Sequence, residues 1–260
     1  MGNSSRNKPS WILFSVFVWF YYGALFAVFF VIVTIVFLVT APFDQYRVIA
    51  NKVFMYMAYA MMYFNPGWEI DFYGMENHKG GKPTIFISNH QSFLDLSLLS
   101  LFPWNMKWVA KKSIFYIPVL GWMIKMTGHL SIDRKRKTAI KRLNSLVNPL
   151  QNNIPVMIFP EGTRTLDGEL LPFRNGAFLL AKEHNFQIRP VVLDGTMDLL
   201  PTNSWIYKPR KKVEVHVLDA IDPSDFDSIS DLRNAAYDLI NHRLQEVRSR
   251  SVEEESPVTA

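Results

Sequence analysis

The chain has 260 residues, a length that suits one globular domain with attached segments and allows a full hydrophobic core. It contains no cysteine, which excludes a disulfide framework, a thiol nucleophile and a cysteine-ligated metal site. The formal net charge is only +5, so the distribution of charge along the chain is more informative than its sum.

The first element is an apolar segment at 11–40, which carries no charged side chain. About 20 apolar residues suffice to cross the hydrocarbon core of a bilayer, and a secretory signal has a shorter apolar region. We therefore predict an N-terminal tail at 1–10 and a transmembrane or re-entrant helix at 11–40.

A second apolar run covers residues 53–68 and contains several tyrosines and methionines. It predicts a membrane-interface helix within residues 41–66, next to the first apolar segment. Basic residues lie on both sides of the first segment, so the flanking charge does not determine the orientation in the membrane.

Beyond residue 66, short β-rich runs alternate with helical stretches. The predicted strands cover 84–89, 155–160, 188–195 and 212–219. The predicted helices cover 93–102, 136–151, 175–185 and 229–248. This alternation predicts an α/β domain at 67–247 with a largely parallel central sheet flanked by helices. We expect a disordered tail at 248–260.

Residues 107–142 carry an excess of positive charge. Ten basic residues stand against one acid, Asp133, and aromatic residues are interleaved with them. Such a mixture suits a nucleic acid or an anionic membrane surface, and a solvated basic face is the plain alternative. Because an apolar segment precedes it, we assign the region to the membrane surface. The membrane-facing cations that we predict are Lys111, Lys112, Arg136 and Lys137.

A histidine and an aspartate follow the apolar strand TIFI, in the stretch SNHQSFLD. His90 lies at the carboxyl end of a predicted strand, where open α/β sheets bind ligands. If Ser92 caps the next helix, His90 can fold back towards Asp95. The pair would then be a general base whose carboxylate holds the imidazole in one tautomer. In the alternative, Ser92 and Asp95 form a capping box and His90 is an ordinary surface residue.

Two further stretches place charged side chains at strand ends. In IFPEGTR, a strand ends in a turn from which Glu161, Thr163 and Arg164 project. An arginine can hold a phosphate with two hydrogen bonds, and a threonine hydroxyl can add another. The alternative is a charged turn with a Glu–Arg pair. In GHLSIDR, a short strand delivers Arg134 into the basic region.

Together these stretches resemble the glycerophospholipid acyltransferases, the group that contains 1-acylglycerol-3-phosphate acyltransferase. NHQSFLD matches the His-x4-Asp motif of that family, and FPEGTR matches its second hallmark almost letter for letter. GHLSIDR resembles an intervening block, and RPVVLDGT, which contains Pro190, resembles a fourth. The resemblance runs from about Pro66 to Asp219, and the combined motifs are far more specific than His-x4-Asp alone.

The resemblance implies that 67–247 is an acyltransferase domain. Such a domain transfers a fatty acyl group from acyl-CoA or acyl carrier protein to the sn-2 hydroxyl of 1-acylglycerol-3-phosphate, which gives phosphatidic acid. The implied catalytic residues are His90 and Asp95. The implied residues for the substrate phosphate are Arg134, Glu161, Gly162, Thr163 and Arg164.

The implied reaction needs no cofactor beyond the acyl donor. It also needs no metal, and the other histidines form no convincing ligand cluster. The oxyanion of the transition state needs a donor, and backbone N–H groups near Gly162 or Ser92 are candidates. The expected partners are a lysophospholipid, an acyl thioester, an anionic membrane surface and, as one form of the donor, acyl carrier protein. Nucleic acid is not expected.

Three alternatives stay open. A member of the same family could acylate glycerol 3-phosphate, a lyso-aminolipid or another lysophospholipid. A thioester or lipid hydrolase could use the same two residues to deliver water. A non-catalytic membrane-surface protein could keep only the fold, although the intact His90, Asp95 and Arg164 argue against it. The expected location is a membrane with the catalytic domain facing the cytoplasm, the inner membrane in a bacterium.

Overall fold

The computed structural model describes residues 9–63, 68–132, 143–208 and 211–255. Three predicted site residues, Arg134, Arg136 and Lys137, lie outside the described residues. The other predicted site residues are described and can be located in the fold.

A mixed sheet with the strand order β1-β7-β6-β2-β5-β3-β4 forms the centre of the described chain. Strands β2 to β6 run in one direction, and β1 and β7 run against them because β7 pairs antiparallel with β6. The predicted largely parallel sheet is therefore confirmed. The strands are β1 (Trp68–Tyr73), β2 (Thr84–Ser88), β3 (Lys107–Lys111), β4 (Leu130–Ile132), β5 (Val156–Ile158), β6 (Gln187–Asp194) and β7 (Lys211–Val217).

Strand β2 is the structural centre of this sheet. All five of its residues are buried, and it pairs in parallel with β5 on one side and β6 on the other. Its apolar sequence suits a strand that is covered on both faces. As a result, the carboxyl ends of β2, β5 and β6 meet at one edge of the sheet.

Helices cover both faces of the sheet and form two hydrophobic cores. One core contains residues from α1 to α4, and the other contains residues from α5, α6 and α8. The result is a three-layer α/β/α arrangement, as the alternation of strands and helices predicted. The helices are α1 (Pro9–Thr40), α2 (Val48–Tyr63), α3 (Leu94–Leu99), α4 (Leu120–Met126), α5 (Val147–Gln151), α6 (Gly176–His184), α7 (Thr196–Leu199) and α8 (Ile229–Glu255).

Helix α1 has a buried face and an apolar outer face. It is long and apolar enough to cross a membrane, with a mean hydropathy of 2.8 in its most apolar window. Its buried residues follow the spacing of one helical face, and its outer face exposes large apolar side chains. The buried residues are Ser15, Val18, Tyr22, Val33 and Thr40. The first helix is thus both apolar on the outside and part of the domain core.

Polar contacts fasten the first half of α1 to a segment near the end of the domain. The Ser15 hydroxyl accepts the Tyr207 N–H at 2.8 Å, and the Trp19 indole N–H donates to the Trp205 carbonyl at 2.7 Å. The Trp19 and Tyr207 rings also pack together, with centroids 5.5 Å apart. The membrane-type helix therefore lies against the α/β domain.

The end of the chain differs from the expectation. Helix α8 continues to Glu255, whereas the sequence predicted the domain to end at 247 and a disordered tail at 248–260. For 248–255 the predicted tail is therefore corrected. Arg248 explains part of the extension, because its guanidinium donates to the Gly168 carbonyl at 2.7 Å and holds this turn of the helix against the domain.

Candidate active site

Three chain segments meet at the carboxyl edge of the sheet. SNHQSFLD follows β2, FPEGTR follows β5, and Gly195 with Thr196 follows β6. Because these strands are parallel neighbours, segments far apart in the chain become adjacent in space. The site thus lies where open α/β sheets place their ligands.

His90 and Asp95 are in direct contact. The distance from His90 Nδ1 to Asp95 Oδ2 is 2.7 Å, and the Asp95 carboxylate is fully buried while the His90 side chain is 13% exposed. A carboxylate accepts hydrogen bonds, so Nδ1 carries the proton and the Nε2 lone pair is left to accept another. The His90 ring stacks on Phe159 with centroids 3.9 Å apart, which fixes the ring plane.

The capping interpretation holds only in part, because the cap residue of α3 is Phe93 instead of Ser92 and no side chain caps this helix, whereas Asp95 does bind the turn before it. Oδ2 of Asp95 also accepts the backbone N–H groups of Gln91 at 2.7 Å and Ser92 at 2.9 Å. The Ser92 hydroxyl accepts the Leu94 N–H at 3.3 Å, at the start of α3. One carboxylate oxygen therefore shapes the turn and holds the imidazole, so the turn cannot form without orienting the histidine.

Both carboxylate oxygens of Glu161, an expected phosphate-binding residue, are engaged by backbone N–H groups. Its side chain is buried; Oε1 accepts the His90 N–H at 2.8 Å, and Oε2 accepts the Leu171 N–H at 3.0 Å. Burial raises the pKa of Glu161 to about 7, although the two N–H bonds act in the opposite direction. Glu161 therefore joins the FPEGTR turn to the backbone of the histidine.

On the rest of the FPEGTR turn, Thr163 and Arg164 are accessible, whereas Gly162 is buried. Gly162 has φ +75°, and a Cβ atom there would lie 2.6 Å from Nε of Arg174, so only glycine fits without movement. Thr163 is exposed, and Arg164 lines the same cavity as His90. Of the four expected phosphate contacts on this turn, Arg164 is thus the cation that shares a cavity with the histidine.

An apolar cavity of about 320 Å³ opens beside the dyad. Its walls come from α1, α2, α3, α4 and β3, and they include Phe26, Met61 and Trp108. The polar lining includes His90 and Arg164. A cavity with this lining suits a hydrocarbon chain whose reactive end reaches the histidine.

Other buried histidines serve packing. The Nδ1 atom of His129 accepts the Trp108 N–H at 3.1 Å, and burial lowers the pKa of His129 well below its usual value. The ring of His78 packs edge-on against Phe86, and burial lowers the pKa of His78 to about 4. Both are therefore neutral at physiological pH, and neither is in contact with the dyad.

At the two places expected to supply an oxyanion donor, the amides of Gly162 and Ser92 themselves are already engaged. The Gly162 N–H donates to the Phe159 carbonyl at 3.1 Å, and the Ser92 N–H donates to Asp95. A hydrogen bond to either amide would have to replace one that holds the turn. Arg164 lines the cavity as well, so its guanidinium is a further candidate donor for developing negative charge.

Comparison with known proteins places these motifs in a family. The sequence model of the family described as Acyltransferase matches residues 69–194. A protein of Haemophilus influenzae named 1-acyl-sn-glycerol-3-phosphate acyltransferase is 34% identical over 169 residues, which cover 63% of this chain and 69% of that protein. The chain belongs to the 1-acyl-sn-glycerol-3-phosphate acyltransferase family.

Members of this family differ in length. A Chlamydomonas reinhardtii protein of the same name is 34% identical over 184 residues, which cover 70% of this chain but only 55% of that protein. The chain thus spans about half the length of this relative. The crystal structure of PlsC from Thermotoga maritima, titled as a 1-acyl-sn-glycerophosphate acyltransferase, has a TM-score of 0.65 and 23% identity. It covers 89% of this chain and 98% of its own chain, which shows a shared fold.

Proposed function

We propose that this chain is a 1-acylglycerol-3-phosphate O-acyltransferase. It transfers a fatty acyl group from acyl-CoA or acyl carrier protein to the sn-2 hydroxyl of 1-acylglycerol-3-phosphate and gives phosphatidic acid. The observation that carries the proposal is the contact between His90 and Asp95 beside an apolar cavity that Arg164 also lines. This combination supplies a base, a cation and a place for the acyl chain.

The proposed reaction is a direct transfer. Nε2 of His90 takes the proton of the sn-2 hydroxyl while the hydroxyl oxygen attacks the thioester carbonyl carbon. Asp95 stabilises the imidazolium that forms and keeps the ring in position. The C–S bond then breaks, the thiolate leaves, and the imidazolium returns its proton to the sulfur. Direct transfer agrees with a chain that lacks cysteine.

The acceptor phosphate is proposed to bind at the FPEGTR turn. Arg164 supplies a bidentate donor on the cavity side, and Thr163 adds an exposed hydroxyl. The positive φ of Gly162 lets the backbone approach the ligand closely. Arg134, which lies outside the described residues, remains a proposed second cation. No cofactor takes part in this scheme.

The proposed location is the cytoplasmic face of a membrane, with α1 re-entrant rather than crossing. As a straight helix, α1 is about 48 Å long, more than the hydrocarbon core. It packs on the domain through Ser15 near its start and again at Phe30, whose ring lies 5.7 Å from that of Trp122. Because α1 contacts the domain at both Ser15 and Phe30, it lies along the domain, which favours re-entry over a helix that leaves the domain to cross. Soluble acyl-CoA or acyl carrier protein then approaches from the cytoplasm.

The deciding experiment is an acyl transfer assay. Detergent-purified protein is incubated with radiolabelled 1-oleoylglycerol-3-phosphate and oleoyl-CoA, and the lipids are separated. We expect wild type to form phosphatidic acid and His90→Ala to be slower by at least about 100-fold, the contribution of a general base. His242→Ala removes an exposed histidine of α8 and is the matched control, with unchanged activity expected.

The same assay separates the alternatives. Equal activity of wild type and His90→Ala would show that His90 is not the base. Oleate released by wild type without acceptor would identify a hydrolase. Product with glycerol 3-phosphate or a lyso-aminolipid, but not with 1-oleoylglycerol-3-phosphate, would assign another acceptor. Parallel reactions with oleoyl-acyl carrier protein determine the donor.

A further inference from the structure

The two oxygens of the Asp95 carboxylate have different partners. Oδ2 takes His90 and two backbone N–H groups, whereas Oδ1 accepts a hydrogen bond from the Thr196 hydroxyl at 2.6 Å. Both side chains are buried, at 0% and 1% exposure. The distance is typical of a hydroxyl bound to an ionised carboxylate, one of the stronger hydrogen bonds in proteins. Within the described part of the chain, Thr196 is the side chain that holds Oδ1.

The position of Thr196 is determined by the end of β6. Gly195 has φ +88°, and a Cβ atom there would lie 2.3 Å from the Lys212 carbonyl oxygen, so the turn requires glycine. Thr196 is the first residue of α7 and directly follows the cap position. Gly195 is the cap residue and no side chain caps this helix; the Thr196 hydroxyl is directed at Asp95.

The same two segments are locked together beside this contact. The Asn89 side chain donates to the Leu193 carbonyl and accepts the Leu193 N–H, both at 2.8 Å. The Ser92 hydroxyl donates to the Leu200 carbonyl at 2.8 Å. These bonds fix the loop of the dyad against the segment after β6. Thr196 is the point at which that segment reaches the carboxylate itself.

We propose that Thr196 is a positioning residue of the reaction, which holds the Asp95 carboxylate so that Oδ2 faces His90. The proposal rests on the proposed function, in which Asp95 orients the histidine. With Oδ1 unbound, only the bonds to Oδ2 restrain rotation of the carboxylate about its Cβ–Cγ bond, so the imidazole is held less firmly in its direction. Thr196 touches neither substrate nor reacting atoms in this scheme, so its loss should act on the rate and not on substrate binding.

The test compares three variants in the phosphatidic acid assay. Thr196→Val keeps the shape of the side chain without the hydroxyl, and Thr196→Ser keeps the hydroxyl. We expect Thr196→Val to lower kcat about 10- to 100-fold with little change in KM, and Thr196→Ser to restore most of the rate. The matched control is Thr84→Val, because Thr84 is a buried threonine whose hydroxyl donates to the Lys82 carbonyl at the far end of β2.

Two results would overturn the proposal: a kcat of Thr196→Val within twofold of wild type, or equal losses in Thr196→Val and Thr196→Ser. Proton NMR of the His90 Nδ1–H, identified by its absence in His90→Ala, provides a measurement without substrate. We expect this resonance to shift or broaden in Thr196→Val and to return in Thr196→Ser. If wild type forms no phosphatidic acid, the proposed function fails, and an unchanged resonance in Thr196→Val would independently reject the role of Thr196.

Discussion

Two buried carboxylates hold the histidine of this site in place. Asp95 holds the His90 ring through Oδ2, and Glu161 holds the His90 backbone N–H through Oε1. The histidine is thus fastened at two points by residues that follow different strands. Each carboxylate also accepts a backbone N–H from its own turn or from the segment after it. A change in either side chain should therefore act on His90 as well as on the local loop.

Glu161 should make the stability of the protein depend on pH. Its pKa is raised from 4.5 to about 7 in the folded state, so the folded protein holds this proton more tightly than the unfolded chain. The stabilisation is complete below about pH 4.5 and is lost as the pH rises through 7, by up to about 3 kcal/mol. Glu161 should therefore lower the unfolding temperature of wild type as the pH rises from 4.5 to 8. We expect this contribution to be absent in Glu161→Gln, whose unfolding temperature should fall less over the same range.

The matched control for this measurement is Glu183→Gln, which changes an exposed glutamate on α6. Its pH profile should follow that of wild type. If Glu161→Gln also keeps the wild-type slope, the buried carboxylate does not titrate in this range, and the proposed burial effect is wrong.

Helix α2 is attached to the domain by buried amides. The Asn51 side chain is fully buried and donates to the Asn105 side-chain oxygen at 2.5 Å and to the Met106 carbonyl at 3.0 Å. Asn51→Ala leaves both acceptors without this donor, which should cost about 1–3 kcal/mol in the free energy of unfolding. Thermal unfolding in detergent measures the loss. Lys52→Ala, at the exposed neighbouring position, should leave the unfolding temperature unchanged.

The strands with a continuous apolar sequence could be predicted from the sequence. Strands β1 and β3 could not. β1 is an edge strand with alternating charged residues and only partial burial, so it gives no apolar run. β3 begins at Lys107, which is 3% exposed and donates to the carbonyl groups of Arg47 and Thr127. Burial lowers the pKa of Lys107 to about 7. A sequence pattern that assigns lysine to the surface cannot predict such a strand.

The contacts within the site also divide into those that the sequence could predict and those that it could not. The contact between His90 and Asp95 was predictable because both residues belong to one turn and one helix start. The contacts of Glu161 with His90 and of Thr196 with Asp95 join residues 71 and 101 positions apart. They depend on which strands flank β2 and in what register, and the local sequence of each strand contains no information about its neighbours. The motif therefore indicated which residues matter without assigning each its role.

On the scale of the whole molecule, a surface of cations and aromatic residues lies beside the cavity. Lys111 is exposed, and the Lys112 ammonium group lies 5.9 Å from the ring centroid of Tyr116. Tyr116 and Trp122 are 70% and 53% exposed. Aromatic side chains at the level of lipid head groups, next to lysines, favour an anionic membrane surface.

We expect neutralisation of Lys111, Lys112, Arg136 and Lys137 together to abolish the preference for anionic lipid. The measurement is flotation with phosphatidylcholine vesicles, with and without phosphatidylglycerol. Binding to neutral vesicles should persist because α1 remains apolar. Neutralising Lys79 and Lys82, two exposed lysines before β2, provides the control and should retain the preference. An unchanged preference in the fourfold variant would reject this surface as the anionic-lipid contact.

The contact between α1 and the end of the domain has a consequence for biosynthesis. Ser15 and Tyr207 are 192 residues apart, so α1 leaves the ribosome about 10–40 s before its partner exists, at 5–20 residues per second. If α1 enters the bilayer as proposed, lipid covers both faces of the helix during that interval. The Ser15 hydroxyl has a hydrogen-bond partner before Tyr207 exists, because it also donates to the Trp11 carbonyl of its own helix at 2.6 Å. With α1 in the bilayer, as we propose, its membrane contact would precede completion of the domain, and the segment at Tyr207 that leads into β7 would then pack onto a helix already in place.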